Sequence, residues 1–175
     1  ISGRVQGVGF RPYLYRHALK HHLHGWVRNI TGRVELHIQG EGVDVQRFLD
    51  SLVDEAPLIS RPQIESVDDA EALPVDEFAI IDSKRDPYAD IHVPTDLDLC
   101  TQCLQELNDP ANRRYRYPFI NCTQCGPRYT IIRELPYDRV NTSMSGFEMC
   151  DDCHDEYVAI MDRRYHAEPV ACEVC

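Results

Sequence analysis

Four Cys-x-x-Cys pairs stand at Cys100/Cys103, Cys122/Cys125, Cys150/Cys153 and Cys172/Cys175, while the first 99 residues hold no cysteine at all. The segments between successive pairs are 18, 24 and 18 residues long. Two such pairs about 15–20 residues apart can bring four thiolates around one tetrahedral ion. The arrangement occurs twice, at an offset of 50 positions. Cys100, Cys103, Glu106, Arg113, Arg114, Tyr115, Cys122 and Cys125 each recur as the same residue type 50 positions later. The C-terminal half therefore reads as two small metal-stabilised units. Cys100, Cys103, Cys122 and Cys125 serve one ion, and Cys150, Cys153, Cys172 and Cys175 the other. An interleaved pairing satisfies the same spacing and stays open at this level.

Other uses of cysteine pairs fit less well. Disulfides form in oxidising compartments, and four vicinal pairs are an odd way to staple a secreted domain. A dithiol redox centre needs one such pair at a helix start, not four matched ones. Iron–sulfur ligands are usually grouped more tightly. Zinc remains, and four thiolates close its coordination sphere, so both ions are expected to be structural. They would supply folding energy to a segment poor in aliphatic side chains. His154 and His166 lie near ligand positions, but with four cysteines per site they read as outer-sphere or solvent residues. Arg113, Arg114, Arg163 and Arg164 fall inside the loops, either as counter-charges to the thiolates or as exposed basic turns.

Charge narrows the partners. The formal net charge is -11, so the chain lacks the basic footprint of a nucleic-acid binder. Mean hydropathy is -0.41, and no apolar run approaches the roughly 18 residues of a membrane span. The expectation is a cytoplasmic protein with neither nucleic acid nor membrane as partner. A small anionic substrate is compatible, given a local positive site. No signal-peptide pattern is present, and the chain opens at Ile1 inside an alternating pattern, which reads as a piece of something longer. Two modules are expected. Residues 1–84 form the first, 85–99 a polar linker ("KRDPYADIHVPTD" starts at Lys84), 100–125 and 150–175 the two fingers, and 126–149 their connector.

The first module begins with alternation (Ile1, Gly3, Val5 against Ser2, Arg4, Gln6), a short strand. From Pro12 the period changes to a helical one, with Leu14, Tyr15, Ala18, Leu19 and His22 on one face. "GWVRNI" (25–30) and "RVELHIQG" (33–40) read as a hairpin around Thr31-Gly32. A second amphipathic helix carries Val45, Phe48, Leu49, Leu52 and Val53. "IESV" (64–67) and "FAIID" (78–82) supply the last strands. The order matches an α+β ferredoxin-like βαββαβ sandwich with a trailing strand.

Between first strand and first helix lies "GRVQGVGFR" (3–11). Gly7 and Gly9 clear the backbone N–H groups of Gln6, Gly7, Val8, Gly9 and Phe10 at a helix N-terminus, where donors are unpaired and the dipole favours an anion. Arg11 adds a planar, permanently charged fork suited to phosphate. A glycine turn before a helix is also common without any ligand.

The loop together with "GWVRN" in the next strand resembles the acylphosphatase signature, over residues 1 to 83. That resemblance implies that the loop backbone and Arg11 bind phosphate and that Asn29 positions the attacking water. Taken alone, Asn29 also reads as a residue opening the hairpin turn. Against the usual pattern the first strand is short, and the turn after Asn29 is about one residue shorter than in stand-alone acylphosphatases.

The acylphosphatase-like module followed by two four-cysteine fingers, with "NCTQCGPRYTIIRELPYDRVNTSM" (121–144) and "DRRYHAEPVACEVC" (162–175), resembles the N-terminal half of the HypF family. These are the carbamoyltransferases of nickel–iron hydrogenase maturation. The resemblance implies hydrolysis of carbamoyl phosphate to carbamate and phosphate at the first module. It further implies carbamate activation with ATP and Mg2+ in domains outside this chain, then transfer to the C-terminal cysteine of a maturation partner. A non-catalytic reading, phosphate binding plus docking through the fingers, stays open. "EYVAIMDRRY" lacks the Asp-Pro of the first copy (Asp109-Pro110), so a different loop is expected there.

Overall fold

The computed structural model describes residues 1–30, 32–84, 95–172 and 174. Thr31 of the expected hairpin turn, positions 85–94 of the expected linker, and Cys175 lie outside the described residues. The chain divides into two compact units, Ile1–Gln6 with Phe10–His92, and Gly7–Gly9 with Val93–Cys175.

The first unit runs β1 (Ser2–Arg4), α1 (Phe10–Lys20), β2 (His24–Ile30), β3 (Arg33–Gln39), α2 (Gly42–Ser51), β4 (Arg61–Gln63) and β5 (Phe78–Ile80). β2 and β3 form an antiparallel hairpin with His24 opposite Gln39 and Ile30 opposite Arg33. β1 pairs antiparallel with β4, and β5 runs parallel to β2. The nitrogen of Ile1 donates to the Val34 carbonyl at 2.9 Å, and the Val34 N–H donates back to Ile1 at 2.8 Å. This exchange joins the pieces in the order β4-β1-β3-β2-β5, a ferredoxin-like α+β sheet.

Two expectations shift. The strand read at 64–67 lies three residues earlier, at Arg61–Gln63, with Ile64 and Val67 exposed. β4 is an edge strand, so Pro62 costs it no ladder hydrogen bond. The inward face of α1 is also rotated. Phe10, Tyr13, Leu14, His17 and Ala18 are buried, whereas Leu19 is 48% exposed. Tyr13 and His17 are accepted inside because each has a polar partner. The Tyr13 hydroxyl donates to the Leu52 carbonyl at 2.7 Å, and His17 Nε2 lies 3.3 Å from the Phe48 carbonyl. Phe48 of α2 and Leu52 just after it are buried, with Val27, Val34 and Phe78 buried in the sheet strands.

In the second unit the 50-residue repeat folds as one motif twice. α3 (Thr101–Asn108) follows Cys100, and α4 (Asp151–Val158) follows Cys150. Each helix ends in the same turn, closed by Arg116 N–H to the Leu107 carbonyl and by His166 N–H to the Tyr157 carbonyl, both at 2.9 Å. Arg116 and His166 share the left-handed conformation, at φ 55° and 49°. The missing Asp-Pro does not alter the second loop: Asp162 N–H still bonds the Ala159 carbonyl at 2.8 Å, as Asn112 N–H bonds Asp109 at 3.0 Å. Among the described residues, no helix is long and apolar enough to cross a membrane.

Candidate functional site

β2 alternates strictly in burial, with Gly25, Val27 and Asn29 facing inward. Asn29 is thus the polar end of an otherwise apolar row, 1% exposed. A buried amide needs partners, and α1 provides one. With its Oδ1 turned toward the helix, Asn29 accepts from Arg11 Nε at 3.2 Å and Nη2 at 3.3 Å. The fork of Arg11 is thereby oriented from β2 while its charge stays in the first turn of α1.

The preceding loop shows how its residues divide their work. Gly7 and Gly9 take φ of 67° and 71°, where an L side chain costs about 1–2 kcal/mol. Val8 and Phe10 between and beyond them are each 1% exposed, so they anchor the loop and offer a ligand only their backbone. Gln6 reaches the opposite way: its Nε2 donates to the carbonyls of Ile30 at 2.8 Å and Arg33 at 3.3 Å, tying the loop base to the β2–β3 hairpin. The role of Gln6 as a hairpin tie is not visible from the motif.

The cysteines group sequentially. The sulfurs of Cys100, Cys103, Cys122 and Cys125 lie within 4.8 Å of one another, as do those of Cys150, Cys153 and Cys172. A zinc ion about 2.3 Å from four sulfurs sets them about 3.8 Å apart, and Cys100–Cys122 and Cys122–Cys125 measure 3.6 and 3.7 Å. The first cluster fits such an ion. Cys100 N–H donates to Cys125 Sγ at 3.3 Å and Cys103 N–H to Cys100 Sγ at 3.4 Å, so the start of α3 supplies donors to the sulfurs.

Neither histidine joins a cysteine group. His154 is 63% exposed beside Asp155, and His166 stacks on Tyr157 with its Nδ1 3.7 Å from the buried Glu168. The four arginines are not exposed turns. Each pair crosses to the other repeat: Arg163 and Arg164 reach Glu106, and Arg113 and Arg114 reach Glu156. Burial pushes both carboxyls up, yet the arginines hold Glu106 and Glu156 below the ordinary carboxylate range. The within-chain identity of these positions was the only sequence signal for this exchange.

The acylphosphatase family model matches residues 1–80, and the HypF finger model matches 99–132 and 149–175. Carbamoyltransferase HypF of Rhodobacter capsulatus is 39% identical over the whole chain, which covers 23% of that protein. Carbamoyltransferase HypF2 of Cupriavidus necator is 48% identical over 86% of the chain and 19% of its own length. The crystal structure of full-length HypF in a phosphate- and nucleotide-bound form superposes with a TM-score of 0.90 at 44% identity, covering 100% of this chain and 23% of that one. The chain thus spans about a fifth of the length of the curated relatives it matches.

Proposed function

Because the chain joins an acylphosphatase domain to a HypF finger and has the make-up of the N-terminal region of a HypF carbamoyltransferase, we propose that its first unit hydrolyses carbamoyl phosphate to carbamate and phosphate. The observation that carries this reading is the Arg11–Asn29 contact at the start of α1, beside a loop with two left-handed glycines.

The phosphoryl group sits against the N–H groups of Gln6 to Phe10, and the Arg11 guanidinium takes its equatorial oxygens. An acyl phosphate carries a good leaving group, so catalysis rests on positioning and charge stabilisation and needs no strong acid. With Oδ1 engaged by Arg11, the Asn29 Nδ2 is left to hold a water in line with the scissile bond. The water oxygen bonds to phosphorus, the phosphorus–oxygen bond to the carbamoyl group breaks, and carbamate leaves with that electron pair. The water proton passes to a phosphate oxygen.

Zinc in the two cysteine clusters supplies structural cross-links. The later steps, carbamate activation with ATP and Mg2+ and transfer to a partner's C-terminal cysteine, belong to domains outside this chain. Phosphate release from carbamoyl phosphate by this chain tests the proposal, with Arg11→Ala as control. A docking module without turnover would release none.

A further inference from the structure

The arginines of the two fingers do more than balance two glutamates. Arg163, in the loop of the second finger, places Nη1 3.0 Å from the sulfur of Cys103 in the first. Reciprocally, Arg113 of the first finger places Nη1 3.5 Å from the sulfur of Cys153 in the second, with Arg114 Nη2 at 4.0 Å. Each arginine pair is steered by the glutamate of the helix it crosses to, Glu106 for Arg163 and Arg164, and Glu156 for Arg113 and Arg114.

Charge counting shows why two arginines face each glutamate, with Arg113 also 3.6 Å from the exposed Asp152. A dication in four thiolates keeps a net charge of about -2. At Glu106 one arginine suffices for the carboxylate, and the second cation then serves the thiolate cluster. The site is shielded from water: Cys103 is 0% and Arg164 4% exposed. In such surroundings an uncompensated thiolate charge is expensive, and an N–H···S bond spreads it. The Arg163 backbone is fixed as well, since its carbonyl accepts from Thr123 N–H at 2.8 Å and from Thr123 Oγ1 at 3.1 Å, next to the ligand Cys122.

We infer that the two metal sites are held crosswise, each double-arginine turn acting as the positioning group for metal retention in the opposite finger. This rests on the zinc reading of the clusters. Outer partners of metal ligands are generally worth about 10–100-fold in metal affinity, and the shorter contact at Cys103 gives Arg163 the larger effect.

The test loads the chain with cadmium and follows both sites by cadmium NMR during challenge with EDTA. The two four-sulfur resonances are assigned by Cys122→Ser and Cys172→Ser, each of which removes one. Arg163→Met is expected to speed metal loss from the first finger about tenfold or more, leaving the second within about twofold. Arg113→Met is expected to do the reverse, with a smaller factor. If Arg163→Met collapses both resonances, Arg163→Lys decides: it keeps the cation, and intermediate loss confined to the first finger upholds the crosswise assignment. Loss from an arginine's own finger, or unchanged rates in both, overturns it. A wild-type chain that takes up no cadmium would instead fail the metal reading beneath.

Discussion

With the Asn29 amide turned so that Oδ1 faces α1, the Arg11 guanidinium donates to it through both Nε and Nη2, at 3.2 and 3.3 Å, linking the first turn of α1 to the buried face of β2. The contact fixes the orientation of the Arg11 guanidinium at the start of α1. Removing the amide should therefore hurt turnover more than stability. Asn29→Ala is expected to lower the rate of phosphate release by about 10²–10³-fold. Asn29→Asp is a sharper probe, because a carboxylate there pairs with Arg11 and repels the substrate phosphate. It should weaken inhibition by inorganic phosphate as well as turnover. Wild-type phosphate inhibition in Asn29→Asp would contradict this placement.

Gly7 and Gly9 are expected to tolerate alanine poorly for a backbone reason. At φ 67° and 71°, each substitution should cost about 1–2 kcal/mol in a denaturant titration, or else rotate the loop and reduce phosphate binding. Calorimetry with phosphate separates the two responses. A variant with unchanged stability and unchanged phosphate binding would show that the left-handed turns serve no purpose in the cradle.

His17 gives the first unit a pH dependence of defined sign. Burial pushes its imidazole below the ordinary 6.5, while Glu55 at 3.6 Å and the Phe48 carbonyl pull the other way. Lys20 and His21 face it too, and Ser51 Oγ lies 3.2 Å from its Nε2. The unfolded chain takes up the proton near 6.5 and the folded chain only at lower pH, so stability falls as pH drops from about 6.5 toward the folded value. Denaturation midpoints measured between about pH 8 and 5 should show an added decline below about 6.5 contributed by His17. His17→Leu should remove that decline; an unaltered profile would assign it elsewhere.

Removing the metal should unfold the second unit selectively. α3 and α4 are eight residues each, shorter than the roughly 12–15 residues at which isolated helices become even marginal. Chelation is expected to abolish their circular-dichroism contribution while the signals of the β2–β3 hairpin persist in NMR. Two zinc ions per chain should be recovered in the chelator. Retention of both helices after complete metal removal would contradict a structural role for the ions.

How much of this was legible in the sequence depends on whether a feature is local. The cysteine spacing, the 50-residue repeat and the glycine loop before α1 are local patterns, and each maps onto a built element. The buried face of α1 was not legible, because hydrophobicity favours Leu19 over His17. The Phe48 carbonyl and the Ser51 hydroxyl make the buried imidazole acceptable. β4 was displaced by the same kind of effect: the β-branched residues of 64–67 suggest a strand, but Ser2–Arg4 pairs with the proline-containing Arg61–Gln63. The exchange of arginines between fingers is a tertiary relationship that spacing alone cannot announce. Within the site, the motif named Arg11 and Asn29 but not their mutual bond, nor the tie from Gln6 to the hairpin.

The central claim is that the first unit hydrolyses an acyl phosphate through Arg11. The most direct measurement is release of inorganic phosphate from carbamoyl phosphate by the zinc-loaded chain, compared with Arg11→Ala and corrected for spontaneous decay. Enzymatic release by the wild type, reduced about 10³-fold or more in Arg11→Ala, is the predicted result. Equal rates in the two proteins, or no release above the spontaneous rate in either, would contradict it.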